Sequence, residues 1–166
     1  MKQTVLIVDD MEINRVILAE GFKEDYNILE AEDGSSALDL INSRPDIAAV
    51  MLDLIMPGMG GIQVLEEMKR TGKINHIPVF IITAANGEDL LRQAYDLGAV
   101  DVISKPFMIQ FLRCRISNII ELYRHRNDLV TIVNEQIEKL HSINQSMIET
   151  LAEKRGVHNV KILAKE

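Results

Sequence analysis

Short apolar runs alternate with amphipathic stretches over the first two thirds of the chain. Four short apolar runs rich in β-branched residues predict strands buried on both faces, at residues 5–8, 47–52, 79–82 and 100–104, and a more polar run at 26–31 predicts a short edge strand. Between these runs, apolar residues recur at a helical spacing, and glycine, proline or polar residues lie at the boundaries. Strands that alternate with helices of this length predict right-handed crossovers. The expected fold class is therefore α/β, a doubly wound parallel sheet with helices on both faces.

A different pattern begins after residue 106, where the strand signal ends. Apolar residues now recur at alternating spacings of three and four over about five heptads, which predicts a long helix able to form a coiled coil. The expected a and d positions are Ile116, Ile119, Tyr123, Arg126, Val130, Val133, Ile137, Leu140, Asn144, Met147 and Leu151.

Polar residues within this heptad pattern indicate how the helix pairs. Asn144 at an a position favours a parallel two-stranded coiled coil, whereas Arg126 at a d position predicts a local break. Leu122, Leu129 and Ile143 widen the apolar stripe, so a helical hairpin, a larger bundle or a helix packed on its own domain remain open. We favour a parallel homodimer.

Composition and charge narrow the class of protein. The 166 residues are 47% hydrophobic and only 4% aromatic, which predicts one globular domain with an aliphatic core and an extension. Residues 1–106 hold 18 acidic and 9 basic residues, and the overall net charge of −7 argues against a nucleic-acid-binding surface. No apolar stretch approaches the roughly 20 residues of a membrane span, and no signal peptide is evident. The single Cys114, which we expect to be buried, fits a reducing cytoplasm.

Polar residues follow four of the predicted strands directly: Asp9 and Asp10, Asp53, Thr83, and Lys105. Because the carboxyl ends of parallel strands meet at one edge of the sheet, we expect these side chains to converge. An aspartate can accept a phosphoryl group, and a divalent cation such as Mg²⁺ relieves the repulsion among clustered carboxylates. A lysine and a threonine can bind phosphoryl oxygens. Each residue alone has an ordinary structural explanation, and only the joint pattern predicts a phosphorylation site.

The motifs at these strand ends resemble those of the receiver domain of two-component response regulators. They are Val8-Asp9-Asp10, Asp53-Leu54-Ile55-Met56-Pro57, Thr83-Ala84 and Lys105-Pro106-Phe107. The resemblance covers residues 1 to about 120. It implies a flavodoxin-like sheet of five parallel strands in the order 2-1-3-4-5, with five helices, and a cis bond before Pro106.

The resemblance also implies roles for individual residues. Those are the phosphoacceptor Asp53, the phosphoryl-binding Thr83 and Lys105, and a Mg²⁺ site made by Asp10, Asp53 and the Ile55 carbonyl, with Asp9 acting largely through water. The implied donor is a sensor histidine kinase or a phosphotransfer protein.

Three positions depart from the family pattern. Val102 stands where the family has an aromatic switch residue, so we expect it to signal only through small packing shifts. Ile55 and Ala85, two positions after Asp53 and Thr83, occupy places where an acid or amide can position an attacking water. Neither side chain can hydrogen-bond water, which predicts slow loss of the phosphoryl group.

Together these patterns predict a switch with three segments. Residues 1–120 form the receiver, residues 121–155 a coiled-coil dimerisation segment, and residues 156–166 the start of an output domain or a disordered tail. The receiver catalyses only its own phosphorylation and relays the change to an output domain elsewhere in a longer protein. The alternatives are a pseudo-receiver scaffold, the regulatory part of a cyclic-dinucleotide phosphodiesterase, and a dehalogenase-type phosphatase, which needs a second acid where Ile55 stands.

Overall fold

The computed structural model describes residues 2–85 and 87–154, so the predicted segment 156–166 lies outside the described residues. The elements are β1 (Thr4–Val8), α1 (Glu12–Phe22), β2 (Asn27–Ala31), α2 (Gly34–Ser43), β3 (Ile47–Leu52), α3 (Gly61–Arg70), a short 3₁₀ helix (Lys73–Asn75), β4 (Val79–Thr83), α4 (Glu88–Leu97), β5 (Asp101–Ser104) and α5 (Ile109–Lys154). The chain divides into two compact units, Met1–Arg124 and His125–Glu166.

The five strands form one parallel sheet in the order β2-β1-β3-β4-β5. This confirms the predicted α/β fold and the flavodoxin-like strand order. Val8 at the end of β1 pairs with Leu52 at the end of β3, and Thr83 at the end of β4 pairs with Ser104 at the end of β5. The residues that follow these strands therefore emerge at one edge of the sheet. The Lys105-Pro106 bond is cis.

Alternating strand residues bury the sheet on both faces. One aliphatic cluster joins Leu6, Val50 and Ile81 to buried residues of α2, α3 and α4. The other joins Ile7, Met51 and Phe80 to buried residues of α1 and α5. Strands covered on both faces have no polar side to alternate with, which explains the continuous apolar runs.

The first part of α5 belongs to the core of the first unit. Leu112, Ile116 and Ile120 are buried in the second cluster, and Ile119 packs against it. The prediction that the heptad seam begins at Ile116 and Ile119 is therefore wrong, because these two residues pack in the core of the first unit. Cys114 is exposed, not buried as expected. At about 100° per residue, it lies on the side of the helix opposite Leu112 and Ile116.

The second unit is helical over its described residues, 125–154. Its large apolar side chains at the a and d positions from residue 130 onwards are about half exposed. They are Val130, Val133, Ile137, Leu140, Met147 and Leu151, with exposures from 45% to 58%. Among the residues that the structure describes, no helix combines the length and the apolar character that a membrane crossing requires.

Candidate functional site

Three carboxylates meet at the carboxyl edge of the sheet. Oxygens of Asp9, Asp10 and Asp53 all lie within 4.8 Å of one another. The pairing of β1 with β3 causes this, because Val8 and Leu52 are directly opposite and Asp9 and Asp53 follow them. Asp9 and Asp53 are buried, whereas Asp10 is exposed. The structure thus brings together the acids that the sequence predicted to converge.

Both oxygens of the Asp53 carboxylate accept hydrogen bonds. The Thr83 hydroxyl donates to Oδ1 at 2.8 Å, and the backbone N–H of Ile55 donates to the same oxygen at 3.1 Å. The Lys105 ammonium donates to Oδ2 at 2.5 Å and also to Asp9 Oδ2 at 2.6 Å. Residues from the turn after β3, from β4 and from the segment after β5 therefore surround one carboxylate.

Lys105 carries a positive charge between these carboxylates. Its partial burial acts to lower the pKa of the ammonium, but its hydrogen bonds to Asp53 and Asp9, together with their negative charges, raise it more. The net result is a pKa above the ordinary value of 10.5. The lysine is then protonated at neutral pH, and it is the single cation beside the three clustered carboxylates, an arrangement that attracts a further cation.

Thr83 links Asp53 to the segment between β4 and α4. Its hydroxyl donates to Asp53 and also accepts from the backbone N–H of Ala85, at 3.2 Å. On the neighbouring strand, the backbone N–H of Val102 donates to Asp101 Oδ1 at 2.9 Å and to the Tyr95 hydroxyl of α4 at 3.2 Å. A displacement of Thr83 would therefore change the hydrogen bonding at the start of this segment.

Asn14 and Arg15 contact the site but were not predicted from the sequence. The amide Nδ2 of Asn14 donates to both carboxylate oxygens of Asp9, at 2.9 and 3.1 Å. Arg15 donates to the Asp9 backbone carbonyl at 2.8 Å and forms an ion pair with Glu30 at 3.2 Å. Both lie in the first turn of α1, which starts at Glu12, two residues after Asp10. Polar residues in the first turn of the helix that follows the acids are therefore the sequence signal that could have predicted these contacts.

The turn after Asp53 is closely packed against the start of α3. The backbone N–H of Gly61 donates to the Leu54 carbonyl at 3.0 Å. A Cβ on Gly61 would lie 2.3 Å from the Asp53 carbonyl oxygen and 2.9 Å from Leu54 Cα. Both are backbone atoms, so only glycine lets α3 approach the strand end that carries Asp53.

A Gly61→Ala variant should lose stability at the upper end of the about 1–3 kcal/mol typical of overpacking. Urea denaturation would measure the loss. Gly87→Ala is the control, because its Cβ would meet nothing closer than Leu90 Cβ at 3.8 Å. That control should cost about 1 kcal/mol or less, the scale of a weakened helix cap. Equal losses in the two variants would contradict the role of the close approach.

Comparison with known protein families identifies the family to which this fold belongs. The model of the response regulator receiver domain matches residues 5–117, more than half of the chain. The chain belongs to the response regulator receiver family. Receivers are activated by phosphorylation, and they take the phosphoryl group from histidine kinases or phosphotransfer proteins. The family is a receiver family and not the dehalogenase-type phosphatase considered from the sequence.

Curated relatives share this receiver but differ in the rest of the protein. Sporulation initiation phosphotransferase F of Bacillus subtilis is 38% identical over 124 residues, which are 74% of this chain and 97% of the relative. A histidine kinase of Formosa agariphila is 40% identical over 121 residues, 72% of this chain but 9% of the kinase. A cyclic di-GMP phosphodiesterase of Thermotoga maritima is 31% identical over 138 residues, 81% of this chain and 36% of the enzyme.

Solved structures agree with the receiver fold. A CheY-like receiver domain from Methanospirillum hungatei superposes with a TM-score of 0.71 at 19% identity, covering 76% of this chain and 99% of the other. CheY in a CheX-CheY-BeF3-Mg²⁺ complex from Borrelia burgdorferi superposes with a TM-score of 0.64 at 32% identity, covering 70% and 88%. The first comparison supports the fold alone, and the second adds a more similar receiver.

Proposed function

We propose that Asp53 is the phosphoacceptor of a Mg²⁺-dependent switch. The observation that carries this proposal is the convergence of the five predicted side chains: the Asp53 carboxylate accepts from Thr83 and Lys105 and lies beside Asp9 and Asp10. A pseudo-receiver scaffold would be expected to have lost an acid or the lysine. The complete set therefore favours a working receiver over a scaffold.

In the proposed reaction, an oxygen of Asp53 attacks the phosphorus of a phosphohistidine. The P–N bond breaks and a P–O bond forms, while the electron pair leaves with the imidazole nitrogen of the donor. Lys105 and Thr83 already donate to Asp53 and are placed to donate to oxygens of the arriving group. Donors held in position before the reaction stabilise developing charge at low cost.

The donor set fits Mg²⁺, which prefers oxygen ligands and uses one or two carboxylates while keeping several waters. We propose Asp10, Asp53 and the Ile55 carbonyl as ligands, with Asp9 acting largely through water. The exposed Asp10 lies in the cluster next to the buried Asp53, which supports this division. When bound, the ion neutralises negative charge on the transferred group.

Intact mass after incubation with acetyl phosphate tests the proposal. We expect one phosphoryl adduct that forms with Mg²⁺ and fails to form when the metal is chelated. Metal binding without an adduct would contradict the switch and favour the dimerisation scaffold. Transfer from a purified histidine kinase would then be the second arm of the test.

Apolar side chains border the proposed acceptor where family members can position water. Ile55 is 63% exposed, whereas Ala85 is buried, with 8% of its surface exposed. Neither can orient a water for attack on the acyl phosphate through its side chain. We therefore propose that the phosphorylated form is long-lived and that a slow decay prolongs the signal.

Introducing a polar side chain should shorten that lifetime. We expect Ile55→Asn or Ala85→Glu to speed decay of the phosphorylated form by about tenfold or more, because orienting a reactant removes part of the barrier. The decay is followed by intact mass after removal of the donor. Ile132→Asn, an exposed isoleucine of the second unit, is the matched control and should leave the rate unchanged. Decay of the phosphorylated form at the wild-type rate in both pocket variants would contradict the prediction.

We also propose that residues 121–155 pair two copies of the chain, with residues 1–120 acting as the receiver. Support comes from the half-exposed apolar row from Val130 to Leu151 and from Asn144 at an a position. Acidic residues such as Glu135 and Glu149 occupy outer heptad positions, so the a and d positions from Val130 to Leu151 are uncharged. Phosphorylation would change the pairing of the two helices through a movement of Thr83, and Val102 would add small packing shifts. We propose that the protein acts in the cytoplasm.

A further inference from the structure

Donors of the protein itself hold the Asp9 carboxylate in place. Oδ1 accepts from the backbone N–H of Met11 at 2.9 Å and from Asn14 at 2.9 Å. Oδ2 accepts from Asn14 at 3.1 Å and from Lys105 at 2.6 Å. Three donor groups thus hold the carboxylate, and the amide nitrogen of Asn14 is shared between its two oxygens.

The neighbouring carboxylates are less constrained. Within the described residues, Asp10 is exposed and no hydrogen bond is recorded to its side-chain oxygens. Asp9 is 2% exposed and held from the first turn of α1. Asn14 is the only one of its partners that engages both oxygens, so it fixes the plane of the carboxylate.

We infer that Asn14 is a positioning residue that keeps Asp9 from direct contact with the metal, and that this restraint sets the preference of the pocket for Mg²⁺ over Ca²⁺. The inference rests on the proposed Mg²⁺ site. It assigns to a neutral amide on α1 the task of limiting how many carboxylates bind the ion directly.

The two ions differ in what an additional carboxylate offers them. Mg²⁺ keeps several waters in a small octahedron and is served by one or two carboxylates, whereas Ca²⁺ takes six to eight oxygens at longer distances. Without Asn14, Asp9 loses the one donor that is shared between its two oxygens, and it can turn towards the ion. That extra oxygen ligand benefits Ca²⁺ more than Mg²⁺.

The experiment measures the dissociation constants for Mg²⁺ and Ca²⁺ of the full chain by calorimetry. Asn14→Leu removes this shared donor at similar size, and leucine favours a helix more than asparagine does. We expect it to tighten Ca²⁺ binding by about tenfold relative to Mg²⁺, the lower end of the effects of residues that support metal ligands. Asn14→Ala is the second variant if the leucine variant does not fold. Asn42→Leu, on the exposed side of α2, is the matched control.

A second substitution identifies the responsible ligand. Adding Asp9→Asn to the Asn14→Leu variant should abolish the gain for Ca²⁺, since an amide oxygen is a weaker ligand than a carboxylate. An unchanged or lowered affinity for Ca²⁺ relative to Mg²⁺ in Asn14→Leu, or a gain that survives Asp9→Asn, overturns the inference. If the wild-type protein binds no Mg²⁺, the proposed metal site itself is wrong. If it binds Mg²⁺ but Asn14→Leu does not favour Ca²⁺, only the role of Asn14 is wrong.

Discussion

An Asp53→Asn variant should take up no phosphoryl group from acetyl phosphate, even with Mg²⁺ at saturation. An amide oxygen is a poor nucleophile, and the variant also loses one of the anionic ligands of the proposed metal site. Asparagine has nearly the shape of aspartate and still accepts from Thr83, whose hydroxyl donates to Asp53 Oδ1. The fold should therefore survive, and the loss should be chemical.

Intact mass of the variant beside the wild-type protein measures this effect. Asp39→Asn is the matched control, because Asp39 lies exposed on α2 and the same charge is lost there. The control should be phosphorylated as fully as the wild type. A phosphoryl adduct on Asp53→Asn of equal yield would place the acceptor elsewhere and contradict the proposed role of the whole pocket.

Charges placed on the apolar row of the second unit should convert a dimer into monomers. Ile137 and Leu140 are 45% and 58% exposed in the single chain and occupy a and d positions. Burying such a side chain contributes about 1.5–3 kcal/mol, and each is buried twice in a two-fold pair. Ile137→Asp with Leu140→Asp removes these contributions and adds the cost of burying unpaired carboxylates. We expect complete dissociation at micromolar concentration.

Light scattering coupled to gel filtration measures the mass of each variant. Ser142→Asp with Ser146→Asp adds the same charge at exposed outer positions of the same helix and should remain dimeric. Both double variants should still be phosphorylated, because the pocket lies within the first unit. A wild-type protein that is monomeric, or a seam variant that stays dimeric, would contradict pairing through this row.

Much of the receiver fold was readable from local pattern. The runs that end at Asp9 and Asp53 are apolar at every position, and the structure buries both strands on both faces. The pattern failed on α5, where one periodicity continues past Ile116 and Ile119 without a change. Those two residues pack in the core while Val130 is half exposed, although all three occupy equivalent heptad positions.

By itself, the sequence determined the order of strands and helices, the acids and the lysine at the strand ends, and the heptad spacing of the last helix. These are local properties, since a few neighbouring residues suffice to set a period or to end a strand. Only the tertiary structure decided which donors meet which carboxylate. Lys105 donates to Asp9 and Asp53, which lie 96 and 52 residues before it in the chain. Asn14 donates to Asp9, whereas Asp10 is exposed. Those contacts depend on how β1 pairs with β3 and on where α1 begins, so they join residues that no short window of the sequence contains.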